Sequence, residues 1–395
     1  MNGGMTIAGP NHEVCATLDP ARVPSPAFVV DLVRLRRNLE HLRRIKERAG
    51  CRILLAQKGF SMWAVYPLIA QYLDGTCSSG PWEAMLAREK FPGGEVHLYS
   101  PAYTAADLAE ILPFADHLSF NSVRQWRAAQ PAIRASGRRI ECALRINPQV
   151  STGAVEMYDP CAAGSRLGIP ASELEGEDLT GLDGLHFHTL CEQNSDALEA
   201  TLAGVEEKFG HLLRRVQWLN MGGGHHITRA DYDAERLIRL VRGIQEKYGI
   251  AVYLEPGEAI ALGTGVLYSS VLDTVRNAMD LAILDVSVTC HMPDCIEMPY
   301  RPDIRGSGLP GEKPHHWRLG GGTCLAGDVI GDYTFDAPLL PGQRLIFEDM
   351  AHYTMVKTTM FNGVKHPALC TWDPASDELK VIRRFRYEDF RDRLS

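Results

Sequence analysis

Between residues 50 and 257 one pattern recurs eight times: a short apolar run of β type, then a longer segment with the length and periodicity of a helix. The runs are RILLA from Arg52, GTCSS from Gly75, EVHLYS from Glu95, HLSF from His117, ECALRIN from Glu141, GLHFHT from Gly184, WLNM from Trp218 and AVYLE from Ala251. Strands that alternate with helices form a parallel sheet covered on its faces, and eight such units predict a (β/α)8 barrel. A doubly wound open sheet competes, but no GxGxxG follows the first run. One connection, from Pro148 to Asp183, is long and irregular.

A ninth run, FVVD (Phe28 to Asp31), precedes an amphipathic helix with Leu32, Leu35, Leu39 and Leu42 on one face. Asp31 can cap that helix and Gly50 can end it. The extra strand is expected outside the barrel. Beyond residue 265 the pattern changes to VLYSSVLDTV, LAILDVSV, GQRLIFEDM and ELKVIRRF, separated by turn residues. The expected organisation is an N-terminal extension over residues 1–24, poorly ordered, an α/β barrel over 25–265 and a β-rich domain over 266–395 that the N-terminal strand joins.

The chain has 395 residues, 45% hydrophobic and 23% charged, with a formal net charge of −8. This is the range of a folded globular protein. It argues against nucleic acid as a partner and suits a cationic substrate. No apolar run is long enough to span a membrane. The N-terminus lacks the basic start and apolar stretch of a signal peptide. The ten cysteines form no CxxC pair and are read as reduced thiols of a cytoplasmic protein.

Chemistry in such a barrel sits where strands end. The first strand ends in AQKGF, placing the Lys58 amine at the mouth, where desolvation would make it a better nucleophile. The sixth ends in HFHT; His186 and His188 share a side, and an imidazole can stack on a flat ring. The seventh ends in Gly222, Gly223 and Gly224, whose backbone N–H groups can approach a phosphate. The eighth ends in YLEPGE, where Glu255 could pair with a protonated ring nitrogen. Each has a bland reading on its own: a snorkelling lysine, a core histidine, a plain turn, a structural carboxylate. Together they are an amine, a stacker, a phosphate cradle and an acid, the set required by a phosphorylated pyridine aldehyde. The second domain adds Cys324 in GGGTCLAGD and Tyr353 in EDMAHYT. A buried thiol and a half-buried tyrosine are the bland readings there. His225–His226 and His315–His316 read as loop or surface residues. A metal on His291, Asp294 and Cys295 is awkward because of their close spacing and the proline between them, so none is expected.

In this order AQKGF, HFHT, GGG, EPGE, GGTC and EDMAHYT resemble the alanine-racemase-fold decarboxylases, which act on ornithine, diaminopimelate and related amino acids. The resemblance runs from about residue 25 to the C-terminus. Three departures point within that family to the branch acting on carboxynorspermidine and carboxyspermidine: TLCE after His188, Glu258 after EPG, and leucine after Cys324 with Asp328 further on. The segment HMPDCIEMPYRP also resembles that branch. These departures remove a serine and an arginine that often help to hold the phosphate.

The resemblance implies pyridoxal 5'-phosphate bonded to Lys58, His188 stacked on its ring, Gly222 to Gly224 and Tyr353 on its phosphate, and Glu255 on its pyridine nitrogen. It implies a homodimer in which Cys324 reaches across to the partner's site, and a decarboxylation that ends when Cys324 or Lys58 returns a proton to carbon. A racemase would place arginine at the ring nitrogen; glutamate favours loss of carbon dioxide. The small-molecule substrate would be a polyamine-like amino acid, met at its distal ammoniums by Asp294 and Glu297, or by Asp328 and Glu192. Diaminopimelate, ornithine or arginine decarboxylation, racemisation, and a non-catalytic cofactor-binding regulator are the alternative functions.

Overall fold

A computed structural model of the chain describes residues 14–153 and 156–395. Its contacts separate two units, Asn38–Ile260 and Ala261–Ser395, the latter taking in the described residues up to Arg37. Among the described residues no helix is long and apolar enough to cross a membrane.

The N-terminal strand β1 (Ala27–Asp31) belongs to the second unit. The first unit is a closed parallel barrel of β2 (Arg52–Ala56), β3 (Gly75–Ser78), β4 (Glu95–Tyr99), β5 (His117–Phe120), β6 (Glu141–Arg145), β7 (Gly184–His186), β8 (Trp218–Asn220) and β9 (Ala251–Leu254). The ring closes where β2 pairs with β9. These strands are covered on both faces, and β3 and β5 are buried at every position although they include Thr76, Ser78, His117 and Ser119.

The surrounding helices follow from cap and period. The helix Ala234–Tyr248 starts where the Asp233 carboxylate accepts from the Arg236 N–H at 2.9 Å, and ends at Gly249 in the left-handed region at φ +70°. It buries Leu237, Ile238, Val241 and Ile244, at spacings of one, three and four residues. Each such side chain contributes about 1.5–3 kcal/mol at most.

The second unit holds β10 (Gly265–Asn277), β11 (Met279–Leu284), β12 (His315–Gly320), β13 (Val329–Phe335), β14 (Arg344–Phe347), β15 (Ala368–Asp373) and β16 (Glu378–Arg383). With β1 they form one sheet in the order β13-β12-β11-β10-β1-β15-β16, and β14 pairs with the first half of β10. The register of β10 against β11 shifts between Val271 and Asp273. This irregularity lets one strand serve two sets of neighbours. β1 is antiparallel to β10 and parallel to β15, with Ala27 opposite Tyr268 and Ala368. That pairing places residues 25–37 with the sheet, although the sequence boundary had included them in the barrel.

Two readings of the ends and loops need correction. The expected extension covered 1–24, and residues 1–13 lie outside the described ones. Val14, Cys15, Leu18 and Val23, however, are buried in one core with Val29, Tyr268, Cys370 and Trp372. Their apolar spacing was too short and irregular to register as an element. His225 and His226 lie in a loop as read, but buried, and His315 and His316 open strand β12 with His316 exposed.

Candidate active site

The site grows from the C-terminal ends of β2, β7, β8 and β9. Gln57, the residue before Lys58, is locked: its side chain donates to the Ser78 hydroxyl at 2.8 Å and accepts from the Tyr66 hydroxyl at 2.9 Å. Ala56 donates its N–H to the Pro256 carbonyl at 3.0 Å. A Cβ on Gly59 would lie 2.9 Å from the backbone of Gly257 and Glu258. The AQKGF and EPGE turns therefore touch backbone to backbone. Lys58 and Glu255 come to one mouth because both turns lack bulk where they meet.

Lys58 is open to solvent on one side. Protein crowds it on the others, and this desolvation, followed by the positive charge of Arg145, lowers its amine below the ordinary lysine range. Cys77, Glu255 and Cys191 oppose the shift weakly. Water thus reaches the amine while the surroundings disfavour its charge.

Glu255 is buried at 5% exposure. Its Oε1 accepts from the Asn220 side-chain amide at 2.5 Å, and its Oε2 lies 3.4 Å from His186 Nε2. Burial pushes this carboxyl up, but His186 and the Cys77 thiol more than offset that, and it is held below the usual carboxylate range. Burial also keeps His186 below the usual histidine range. The amide of Asn220 is the neutral anchor that stays whichever of the two carries the proton.

His188 accepts from the Gly223 N–H at Nδ1, 2.9 Å away, so its neutral form carries the proton on Nε2. Burial, then Lys58 and Arg145, push it well below the usual histidine range, and the ring stays neutral. Arg145 donates to the His188 carbonyl at 3.0 Å and lies 4.4 Å from the Tyr99 ring centroid.

The three glycines do two jobs, only one of which the sequence suggested. Gly222 and Gly224 have φ of +70° and +79°, and a Cβ on Gly224 would sit 2.0 Å from the Leu190 carbonyl oxygen. Close approach is therefore obligatory. The N–H groups, however, are mostly spent within the protein: Gly222 donates to Asn220 Oδ1 at 2.9 Å and Gly223 to His188. Two of the three N–H groups that the sequence offered to a phosphate therefore already have acceptors in the protein. Only the Gly224 N–H lacks a partner among the described residues. Beside the loop, His226 and Glu258 form a buried pair at 3.3 Å.

Cys191 and Glu192 lie half-buried on the segment after His188, with Glu192 at φ +55°. Burial, then Glu192 and Glu258, push the Cys191 thiol up to about 11.

The residues named from the second unit are described by themselves. Cys324 is exposed, and its N–H donates to Asn362 Oδ1 at 2.9 Å. Asp328, expected as an alternative substrate ligand, is instead a buried anchor of that loop. Its Oδ1 accepts from the Ser287 hydroxyl and the Val288 N–H, both at 2.9 Å. Its Oδ2 accepts from the Thr323 N–H at 3.1 Å and hydroxyl at 2.7 Å. Asp294 is buried: Oδ2 accepts from the Tyr300 and Thr354 hydroxyls, each at 2.9 Å, while Oδ1 has no partner among the described residues. Glu297 is exposed and pairs with Lys357 at 2.6 Å. Tyr353 is half-buried beside the His352 ring.

Sequence reasoning missed Asn220 and Arg145. Each occupies the last position of its strand, in WLN and ECALR, where a polar group in an apolar run was the available signal.

A neutral-leaning amine, an anchored carboxylate, an uncharged imidazole and a close backbone cradle suit a planar, phosphorylated, aldehyde-bearing ring with a basic nitrogen. The comparisons with known proteins agree. Residues 27–351 match the family model described as pyridoxal-dependent decarboxylase, C-terminal sheet domain. The chain is 45% identical to the carboxyaminopropylagmatine decarboxylase of Synechocystis sp., over 94% of this chain and 96% of the relative. It is 41% identical to the carboxynorspermidine/carboxyspermidine decarboxylase of Campylobacter jejuni, over 93% and 98%. The crystal structure of carboxynorspermidine decarboxylase complexed with norspermidine, also from Campylobacter jejuni, superposes with a TM-score of 0.87 at 40% identity, covering 94% of this chain and all of that one.

Proposed function

Because the chain belongs to the pyridoxal-dependent decarboxylases, we propose that it removes the α-carboxylate of carboxynorspermidine, and of carboxyspermidine as a close analogue, to give a polyamine. Pyridoxal 5'-phosphate is the cofactor of this family, and when bound it supplies an electron sink conjugated to the substrate's α-carbon. Lys58 would hold its aldehyde, His188 its ring face, Glu255 its ring nitrogen, and the Gly224 N–H with the Tyr353 hydroxyl its phosphate.

The protein's own groups have four tasks. The lowered Lys58 amine is available as a nucleophile without a strong external base. Glu255, ionised and anchored by Asn220, keeps a proton on the ring nitrogen, which strengthens the sink and favours carbon dioxide loss over racemisation. Neutral His188 stacks without placing a second positive charge beside Lys58. Cys324 of the partner in a homodimer, or Lys58 itself, returns the proton to carbon.

The near-full-length likeness to relatives named for carboxynorspermidine and carboxyspermidine carries the substrate class. Asp294 supports an ammonium at the distal end. Its Oδ2 is already taken by two hydroxyls, leaving one oxygen; that suits a point-like ammonium better than a guanidinium, which is matched by two oxygens side by side. Carboxyaminopropylagmatine is the second reading, favoured by the 45% identity to the Synechocystis relative.

The test is carbon dioxide release from carboxynorspermidine, carboxyspermidine, carboxyaminopropylagmatine, diaminopimelate, ornithine and arginine. The highest kcat/KM is expected with carboxynorspermidine. A clear preference for carboxyaminopropylagmatine would install the second reading, and a preference for diaminopimelate or ornithine would overturn both.

A further inference from the structure

The end of the barrel opposite Lys58 carries a second cluster of chemistry-bearing side chains. Glu95 opens β4, His97 follows two residues later, and His117 opens β5. Residues two apart on a strand point to the same side. The register sets His97 directly opposite His117. The two imidazoles therefore lie against each other, with centroids 3.9 Å apart and planes 8° apart, and Glu95 meets both.

From these residues we propose that Glu95, His97 and His117 bind a divalent transition ion of the zinc class at the N-terminal end of the barrel. One ligand atom from each of the three lies within 4.8 Å of the others. Glu95 Oε2 is 3.0 Å from His97 Nε2 and 3.9 Å from His117 Nε2. The other carboxylate oxygen, Oε1, is hydrogen-bonded by the Arg52 guanidinium, so the oxygen left over is the one that faces both rings.

A second observation lies on the far side of His117. Its Nδ1 is buried, has no hydrogen-bond partner among the described residues, and faces Glu141 Oε2 at 3.8 Å. An imidazole with one nitrogen toward a ligand set and the other toward a carboxylate is the usual arrangement of a metal-bound histidine. The edges of the Trp218 and Tyr253 rings, 5.1 and 5.6 Å from the His117 ring, wall the cluster.

A zinc-class ion with bonds of about 2.1 Å needs its donors about 3.4 Å apart. Because the two ring planes are nearly parallel, at least one imidazole must turn well out of the stack for both Nε2 lone pairs to meet one ion. Arg52 opposes a cation here, and the carboxylates of Glu95 and Glu141 offset it. With three protein ligands, water takes the fourth position from the side where Arg52 is half-exposed. Two imidazoles and one carboxylate select zinc, cobalt or nickel over magnesium or calcium. His97 and His117 are twenty residues apart on different strands, a separation that gives no ligand-spacing signal in the sequence.

The test uses the holoenzyme, dialysed against a chelator and titrated with cobalt(II) and zinc(II) by calorimetry and visible absorption. The expected result is one ion per chain, with cobalt ligand-field bands and no thiolate charge-transfer band. His97→Ala and His117→Ala should each weaken binding by about a hundredfold while decarboxylase activity persists, and Cys324→Ser should leave binding intact. Binding that is absent at about 0.1 mM ion, unaffected by either histidine variant, or accompanied by thiolate charge transfer overturns the assignment. Should a variant fail to fold, metal K-edge absorption of the cobalt-loaded wild type decides: two imidazole ligands support the site, fewer refute it.

Discussion

An amine can attack an aldehyde only after losing its proton, so the surroundings of Lys58 decide at what pH the enzyme can load its cofactor. Desolvation and Arg145 favour the neutral amine, whose pKa is lowered from that of an ordinary lysine. The neutral form is therefore populated at lower pH, and the rate of reloading should rise with pH and level off before the ordinary lysine range. Apoenzyme mixed with pyridoxal 5'-phosphate across pH 6–11 should show this in the growth of its visible band. A rate that turns up only in the range of free lysine would count against the reading, and Lys58→Ala should form no such band. Asn220 makes a second prediction at this scale. It donates to Glu255 and accepts from the Gly222 N–H. Asn220→Ala leaves a buried carboxylate oxygen short of a donor and a buried N–H short of an acceptor. A hydrogen bond to a charged group contributes about 1.5–3 kcal/mol. If Glu255 works through that anchor, kcat should fall roughly tenfold to a hundredfold. Asn220→Asp, which keeps the acceptor for Gly222 but loses the donor, should fall as far. An unchanged kcat in either variant would show that Glu255 needs no anchoring.

At the scale of elements, glycines that look alike in the sequence behave differently. Gly224 sits at φ +79° against the Leu190 carbonyl, whereas Gly243 lies exposed within a helix with nothing inside 4 Å of an added Cβ. Gly243→Ala should stabilise the protein by about 0.5–1 kcal/mol in denaturant melts, because alanine costs less conformational entropy in a helix. Gly224→Ala should destabilise it and weaken pyridoxal 5'-phosphate binding by at least about tenfold, since left-handed backbone alone costs an alanine about 1–2 kcal/mol before the clash. Equal effects of the two substitutions would contradict the close-approach argument. The same contrast explains what could be read from the sequence. The barrel was legible because each βα unit is local: an apolar run, a cap such as Asp233 and a stop such as Gly249 lie within about 30 residues of one another. Lys58, His188 and Glu255 were legible because barrel topology assigns a place to whatever ends a strand. Of the sheet of the second unit, the β content and the joining of β1 were legible, but the pairing order was not. β1 pairs with a strand more than 300 residues away, and β12 carries His315, His316 and Arg318 in a half-exposed strand with little apolar content. The role of Asp328 as a loop anchor was hidden too, because its acceptors serve Ser287 and Val288, about forty residues upstream.

At the scale of the whole molecule, the chemistry and the thiol separate. The barrel carries the amine, the acid, the imidazole and the Gly222–Gly224 loop of the proposed site. Cys324 is carried by an exposed loop of the other unit, held rigid by Asp328 and Asn362. An exposed thiol on a loop anchored in that way is what the proposed sharing of active sites between two copies of the chain requires. If active sites are shared in a symmetric dimer, each site takes Lys58 from one subunit and Cys324 from the other. Lys58→Ala and Cys324→Ala homodimers would each have no complete site. Mixed and allowed to exchange, equal amounts give heterodimers as about half of all dimers, each with one complete site and one lacking both groups. Activity should therefore recover to about a quarter of wild type from two nearly inactive parents. Recovery should appear at the rate of subunit exchange and disappear if the dimers are cross-linked before mixing. If Cys324 serves the site of its own chain, the heterodimer contains no complete site and mixing restores nothing. The size of the recovery thus separates a shared site from a self-contained one without reference to the substrate.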